Sequence, residues 1–305
     1  MIFFNAHIGR TAGLTLTYIL RRNFGDKFLK MGSKDISKYL GKQRISPVTQ
    51  MLTPDEINNI IDQYGKIPKC TSSHYIPIPK GLEALSQRFN NVKMFTFLRD
   101  PTDRVISHYF AFRKKRLLED ELSKHVKYDY RHDMNNFFRN YEYVESKYGI
   151  HNSIENRQTY FIDNGVNLHK AISRLRNDFW FVGIVERFDE GLLLLKDQFN
   201  KLGMNFDIMY IRQQAAPRTK NEIKQLVTCE IRKKIKEMNK LDQQLYEESK
   251  QIFEKRKKLY SGDFESDLCE YRKELQRWQL YQNYVPYKAK KILGWTRNKF
   301  AVGHK

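Results

Sequence analysis

The sequence predicts an α/β fold, with a central parallel sheet covered on both faces by helices. Two observations carry this. Short apolar runs rich in β-branched and aromatic residues recur along the chain, each bounded by polar turn residues. Between them lie segments of helical length and patterning, and strands buried on both faces read as such continuous apolar runs. The chain shows no internal repeat and no Gly/Ser/Pro-rich linker, so one domain is expected.

In chain order, "MIFFNAH" reads as a buried strand, and residues 14–24 as a helix. "KIPKCTSSH" (66–74) is a second strand ending at His74, followed by a short helix over 81–89. "VKMFTFL" (92–98) is the clearest strand. It runs into "RDPTDRVISHYF", where Asp100 is a natural N-cap and Pro101 suits the first helical position. "FWFVGI" (179–184) and "FDIMYI" (206–211) read as two more strands, with helices over 134–147, 151–162, 186–200 and 221–255. The last segment differs: from Gln276 to Lys305 there are seven Lys/Arg and no Asp/Glu, interleaved with Trp278, Tyr281, Tyr284, Tyr287, Trp295 and Phe300.

With 305 residues, 40% hydrophobic and 13% aromatic, the chain can bury a sizeable core. Its net charge of +20 favours anionic partners: nucleic acid, phosphate esters, acidic glycans or anionic lipid. Cys70, Cys229 and Cys269 lie far apart, so they form neither a CxxC pair nor a metal knuckle. No apolar run reaches the ~20 residues of a membrane span. A basic leader with an apolar core is also absent, which makes a cytoplasmic protein the expectation.

Ligands of open parallel sheets bind beyond the carboxyl ends of the strands. After the first strand come His7, Arg10, Thr11, Gly13 and Thr15; after the second comes His74; after the third come Arg99 and Asp100. Neighbouring strands would bring these groups to one crevice. Gly9, Ala12 and Gly13 are small enough to let the backbone approach an anion at a helix N-terminus, with Arg10 adding a full charge. An ordinary strand–helix turn with a surface arginine fits the same spacing. Ser107, seven residues after Asp100, shares a helix face with the cap. An anion along that face could touch both Arg99 and Ser107; alternatively, Arg99 pairs with a carboxylate and Ser107 packs. A lone histidine such as His74 is most often structural, although its place at a strand end puts it in the crevice.

These residues together resemble a known family. "HIGRTAGLTL" resembles the 5′-phosphosulfate loop of the carbohydrate sulfotransferases, H-I-P-K-T-G-G-T-S-L. "FTFLRDPTDRVISHYF" resembles their 3′-phosphate motif, and "SSHYIPIPKGL" the segment between the two. "ENRQTYF" and "FVGIVERFDEGLLLL" are similar to later segments, and the likeness covers residues 1–255 in order and spacing. Within that family the chain resembles bacterial members related to heparan sulfate 2-O-sulfotransferases. The resemblance implies a P-loop-like three-layer fold with a helical C-terminal part, a sulfotransferase domain over 1–275, and 276–305 as its basic aromatic extension.

It also implies transfer of a sulfuryl group from PAPS (3′-phosphoadenosine 5′-phosphosulfate) to a hydroxyl, releasing PAP. By position, Arg10, Thr11, Ala12, Gly13, Leu14 and Thr15 would wrap the phosphosulfate, and Arg99 and Ser107 would hold the 3′-phosphate. Arg218, in "RQQAAPRTK", would reach the phosphate side, and His74 would be the general base. No metal is implied. The acceptor would be a carbohydrate, acidic or lipid-linked, and the basic tail could touch an anionic membrane. The chain departs from the family pattern at Gly9, Ala12 and Leu14, and above all at Arg10, which stands where the family has lysine. Two other readings compete: a degenerate PAP-binding protein, and a basic nucleic-acid binder that shows no recognised module.

Overall fold

The computed structural model describes residues 1–41, 51–114, 133–148, 154–212 and 219–284. Its centre is a five-stranded parallel sheet built from β1 (Ile2–Ala6), β2 (Phe28–Lys30), β3 (Cys70–Ser73), β4 (Val92–Leu98) and β5 (Phe179–Ile184). The strand order is β2-β3-β1-β4-β5. β1 is therefore central, flanked by β3 with Ala6 opposite Ser73 and by β4 with Asn5 opposite Phe95.

The helices are α1 (Gly13–Phe24), α2 (Ser33–Leu40), α3 (Pro54–Gln63), α4 (Ile78–Ser86), α5 (Pro101–Lys114), α6 (Met134–Tyr148) and α7 (Arg157–Asp163). They continue with α8 (Leu168–Asn177), α9 (Phe188–Asn200), α10 (Lys220–Leu226), α11 (Cys229–Met238), α12 (Lys240–Lys257) and α13 (Phe264–Tyr284). The alternation of side chains along β1 separates the two layers that cover the sheet. Phe3 packs against Phe24 of α1 and Phe199 of α9, whereas Phe4 lies against Gly81 of α4. α13 adds to the first layer: its Trp278 stacks on Arg22, and its Tyr271 donates to the Ile208 carbonyl at 3.0 Å. A second apolar cluster joins Val105, Ile106, Tyr109 and Phe110 of α5 to Phe137 and Phe138 of α6 and to Ile231 and Ile235 of α11. This anchors the helical C-terminal part beside the long helix that leaves β4.

The structure corrects the sequence in four places. Residues 206–211 are not a strand, although Phe206 and Ile208 are buried. Their backbone groups pair with side chains. Asn23 accepts from the Asp207 N–H and donates to its carbonyl, Arg22 donates to Met209 O, and Gln279 donates to Tyr210 O. Apolar composition marked burial there, not strand pairing. Secondly, the expected helix over 221–255 is three helices, because Thr228 caps α11 and Asn239 separates α11 from α12. Thirdly, the helix expected over 151–162 begins at Arg157, after Asn156 in the left-handed region (φ 42°). Finally, the three-residue strand β2 was not expected. α13 runs unbroken through residues 275 and 276, and Trp278 is buried, so this part of the expected extension packs on the domain. Residues 285–305, with Tyr287, Trp295 and Phe300, lie outside the described residues.

Candidate active site

With β1 between β3 and β4, the three loops that leave these strands are adjacent. β1 ends at Ala6, and the chain turns through His7–Ala12 into α1. Arg10 (φ 73°) and Ala12 (φ 60°) both sit in the left-handed region. Non-glycine residues there cost about 1–2 kcal/mol each, and such strain clusters at ligand sites. The turn is locked from inside, because Thr11 Oγ1 donates to Ile8 O at 2.8 Å. That buried hydroxyl is a strut of the loop. At the start of α1, Ala12 supplies no side-chain cap and the first turn holds no acidic residue. The positive end of the helix therefore meets no carboxylate from its own first turn.

Arg10 reaches across to the neighbouring loop. Its Nε and Nη2 donate to Ser107 Oγ at 3.2 and 3.0 Å, and Arg99 Nη1 donates to Arg10 O at 3.2 Å. The residue expected at the phosphosulfate and the pair expected at the 3′-phosphate thus form one connected group. Asp100 caps α5 through a bond from Asp103 N at 3.0 Å, which aims Ser107 into the crevice two turns on. Arg99 also has the carboxylate neighbour that the sequence left open: Glu186 Oε1 lies 3.7 Å from its Nε. Glu186 accepts from Tyr246 Oη at 2.8 Å, yet burial raises its pKa above the usual carboxylate value.

His74 follows β3, beside His7 at the end of β1. The two rings are 5.4 Å apart, edge to face. Burial, together with the Lys30 and Arg10 charges, lowers the His7 pKa to about 4. Lys30 ends β2, and its pKa is lowered by burial and by Arg21, against the opposing effect of Asp35. A row of groups therefore runs along the sheet's carboxyl edge: Lys30, His74, His7 with Arg10, then Arg99 with Ser107. Such an edge can hold an extended, multiply charged anion. Gly13 and Thr15 are buried and Leu14 is partly exposed in the first turn of α1. Arg218 lies outside the described residues.

A family model described as "Sulfotransferase family" matches residues 2–265. The chain belongs to the sulfotransferase family. Among solved structures it is similar to a sulfotransferase from Alicyclobacillus acidocaldarius at 15% identity, with a TM-score of 0.37, covering 72% of this chain and 87% of that one. No curated protein matches it.

Behind the site lies a support that sequence reasoning missed. Gln158 clamps the backbone of Arg99, accepting from its N–H at 2.9 Å and donating to its carbonyl at 2.8 Å. Gln158 is held in turn by Asp242, which is fully buried. Asp242 accepts from the Gln158 and Thr159 N–H groups and from the Thr159 hydroxyl, at 3.0, 2.7 and 2.8 Å. It thereby caps α7 from another helix. Asn156 reciprocates, accepting from the first N–H groups of α12 at Leu241 and Asp242. The only signal available was the family-like "ENRQTYF"; nothing marks Asp242 among the many charges of its helix. Asp242→Ala leaves three buried donors without their acceptor, at about 1–3 kcal/mol each when unsatisfied. The expected loss is about 3 kcal/mol or more in a urea titration. A loss below about 0.5 kcal/mol, the range of ordinary surface changes, would show that water replaces the carboxylate.

Among the described residues, no group of three or more His, Cys, Asp or Glu is placed to hold a metal ion. Nor is any helix among them long and apolar enough to cross a membrane.

Proposed function

We propose that the chain moves the sulfuryl group of PAPS to a hydroxyl of a carbohydrate acceptor and releases PAP. The observation that carries this reading is the connected group Ser107–Arg10–Arg99, set beside a helix N-terminus to which Ala12 gives no side-chain cap and one strand away from His74. The donors fit the group: two guanidiniums, a hydroxyl and helix N–H groups are what a ligand with two separated anionic ends requires. PAPS, when bound, supplies an activated sulfuryl group on a phosphate leaving oxygen of low basicity.

The chain's own residues account for the rest. Arg10, with the N-terminus of α1, stabilises negative charge around the transferring group and on the oxygen that departs with the S–O bonding pair. Arg99 and Ser107 hold the far end and so fix the line of attack. His74 takes the proton that the acceptor hydroxyl loses as its oxygen bonds to sulfur. Lys30 gives the opposite end of the crevice a positive charge, which favours an acidic acceptor. The kinship with heparan sulfate 2-O-sulfotransferases is part of this proposal, as is contact of the basic tail with an anionic membrane.

Titration calorimetry with PAP tests the reading. Saturable one-to-one binding is expected, about tenfold or more tighter than adenosine 5′-phosphate, which lacks the 3′-phosphate. Equal affinities would remove Arg99 and Ser107 from cofactor recognition, and absence of PAP binding would overturn the proposal. A screen of carbohydrate acceptors with labelled PAPS then separates an enzyme from a degenerate PAP-binding protein.

A further inference from the structure

The sequence places His7 in the crevice, and the mechanism above gives it no role. Its surroundings are unusual. A Cβ built on Gly13 would lie 1.7 Å from His7 Nε2 and 2.0 Å from Cδ2, so the imidazole occupies the space where any other residue at 13 would place its side chain. The same ring meets His74 edge to face at 5.4 Å. Its backbone is fixed too, since His7 N donates to Ser73 O at 3.2 Å, one residue before His74. The ring thus touches the first residue of α1, where the proposed phosphosulfate loop ends, on one side and the proposed base on the other.

We infer that His7 is a positioning residue: its ring is a wedge between Gly13 and His74 that sets the gap between the donor loop and the base. This rests on the reading of the loop as the phosphosulfate site. The charged and titratable groups facing the wedge are Lys30 from the end of β2, Arg10 from its own loop and His74 from the end of β3. Lys30 and Arg10 are cationic, and they add to burial in keeping His7 neutral. A neutral wedge does not repel the imidazolium that His74 becomes after taking a proton. Gly13 is then small for a reason beyond ligand approach, because it makes room for the ring.

A double-mutant cycle tests this, read by both PAP affinity and melting temperature. In the wild-type background Gly13→Ala pushes the ring out, and PAP affinity is expected to fall by about tenfold or more. In the His7→Ala background the same change is expected to cost less than about threefold, because the new methyl enters vacated space. Equal costs in both backgrounds overturn the wedge. If Gly13→Ala alone fails to fold, folding of the Gly13→Ala/His7→Ala double variant is the expected result, and its failure overturns the wedge equally. The positioning role has its own readout. In imidazole NMR spectra, assigned with His7→Gln and His74→Asn, the His74 midpoint is expected to move upward in His7→Ala as water replaces the ring. An unchanged midpoint overturns the link to the base. If wild type does not bind PAP, the phosphosulfate reading fails by itself, while melting temperatures still report whether ring and glycine are coupled.

Discussion

Replacing Arg10 by alanine is expected to abolish sulfuryl transfer while leaving the fold in place. Arg10 is the one cation on the strained turn between β1 and α1, and its fork is already directed by Ser107. Removing a preorganised charge from a site of this kind costs about 10²–10³-fold or more in turnover, about 3–4 kcal/mol. The fold should survive, because the Arg10 side chain contributes to the crevice and not to either apolar core. Alanine already occupies the left-handed region at position 12 of the same turn. The melting temperature of Arg10→Ala should therefore stay within a few degrees of wild type. Arg10→Lys separates charge from shape. It restores the cation that the family carries, but a lysine ammonium cannot make the two-nitrogen contact to Ser107. Activity between the alanine variant and wild type is expected. Turnover near wild type in Arg10→Ala would remove this residue from the chemistry and leave the helix N-terminus as the anion site.

The parts of this site that could be read in the sequence follow a physical rule. β1, β4 and β5 are buried on both faces, so their runs of Phe, Ile and Val show without any partner in view. Asp100 and Pro101 announce their helix by local chemistry, and the cap bond is present. What the sequence could not show depends on partners far along the chain. β2 has only three residues, too few for periodicity, so nothing local marks Lys30 at the β2 end of the crevice. Residues 206–211 looked like a strand because burial and strand pairing use the same residues. Their hydrogen bonds go to Asn23, Arg22, Tyr271 and Gln279, which leave no local pattern. The sequence put Arg10 and Arg99 beyond strand ends and Ser107 two turns into a helix, but only the strand order brings them together. The resemblance also marked a glycine at the position of Ala12, and the structure supplies the reason: φ is 60° there, where glycine is relaxed and alanine is strained.

His74→Ala and His74→Asn are expected to slow the chemical step by about 10²–10⁴-fold, the usual worth of a positioned general base. PAP affinity should change little, because the residues proposed to hold the donor lie on the β1–α1 and β4–α5 segments and His74 follows β3. Single-turnover kinetics with saturating PAPS separate these terms: the rate falls while the donor concentration at half-maximal rate stays within about threefold. The two variants also distinguish proton transfer from packing. Asparagine keeps a polar, hydrogen-bonding side chain of similar reach against Tyr75, whose ring lies 4.4 Å from that of His74. It cannot accept a proton near neutral pH. If His74 acts as base, asparagine is no better than alanine, and whatever pH dependence the imidazole gives the rate disappears in both. If asparagine restores most of the rate, His74 orients the acceptor and the base is elsewhere. His7 is the adjacent alternative, but with a pKa held near 4 it would be a weak base of constant protonation above pH 5. A surviving pH dependence in the imidazole range would therefore exclude His7 as well, and would direct the search to groups contributed by the acceptor side of the crevice.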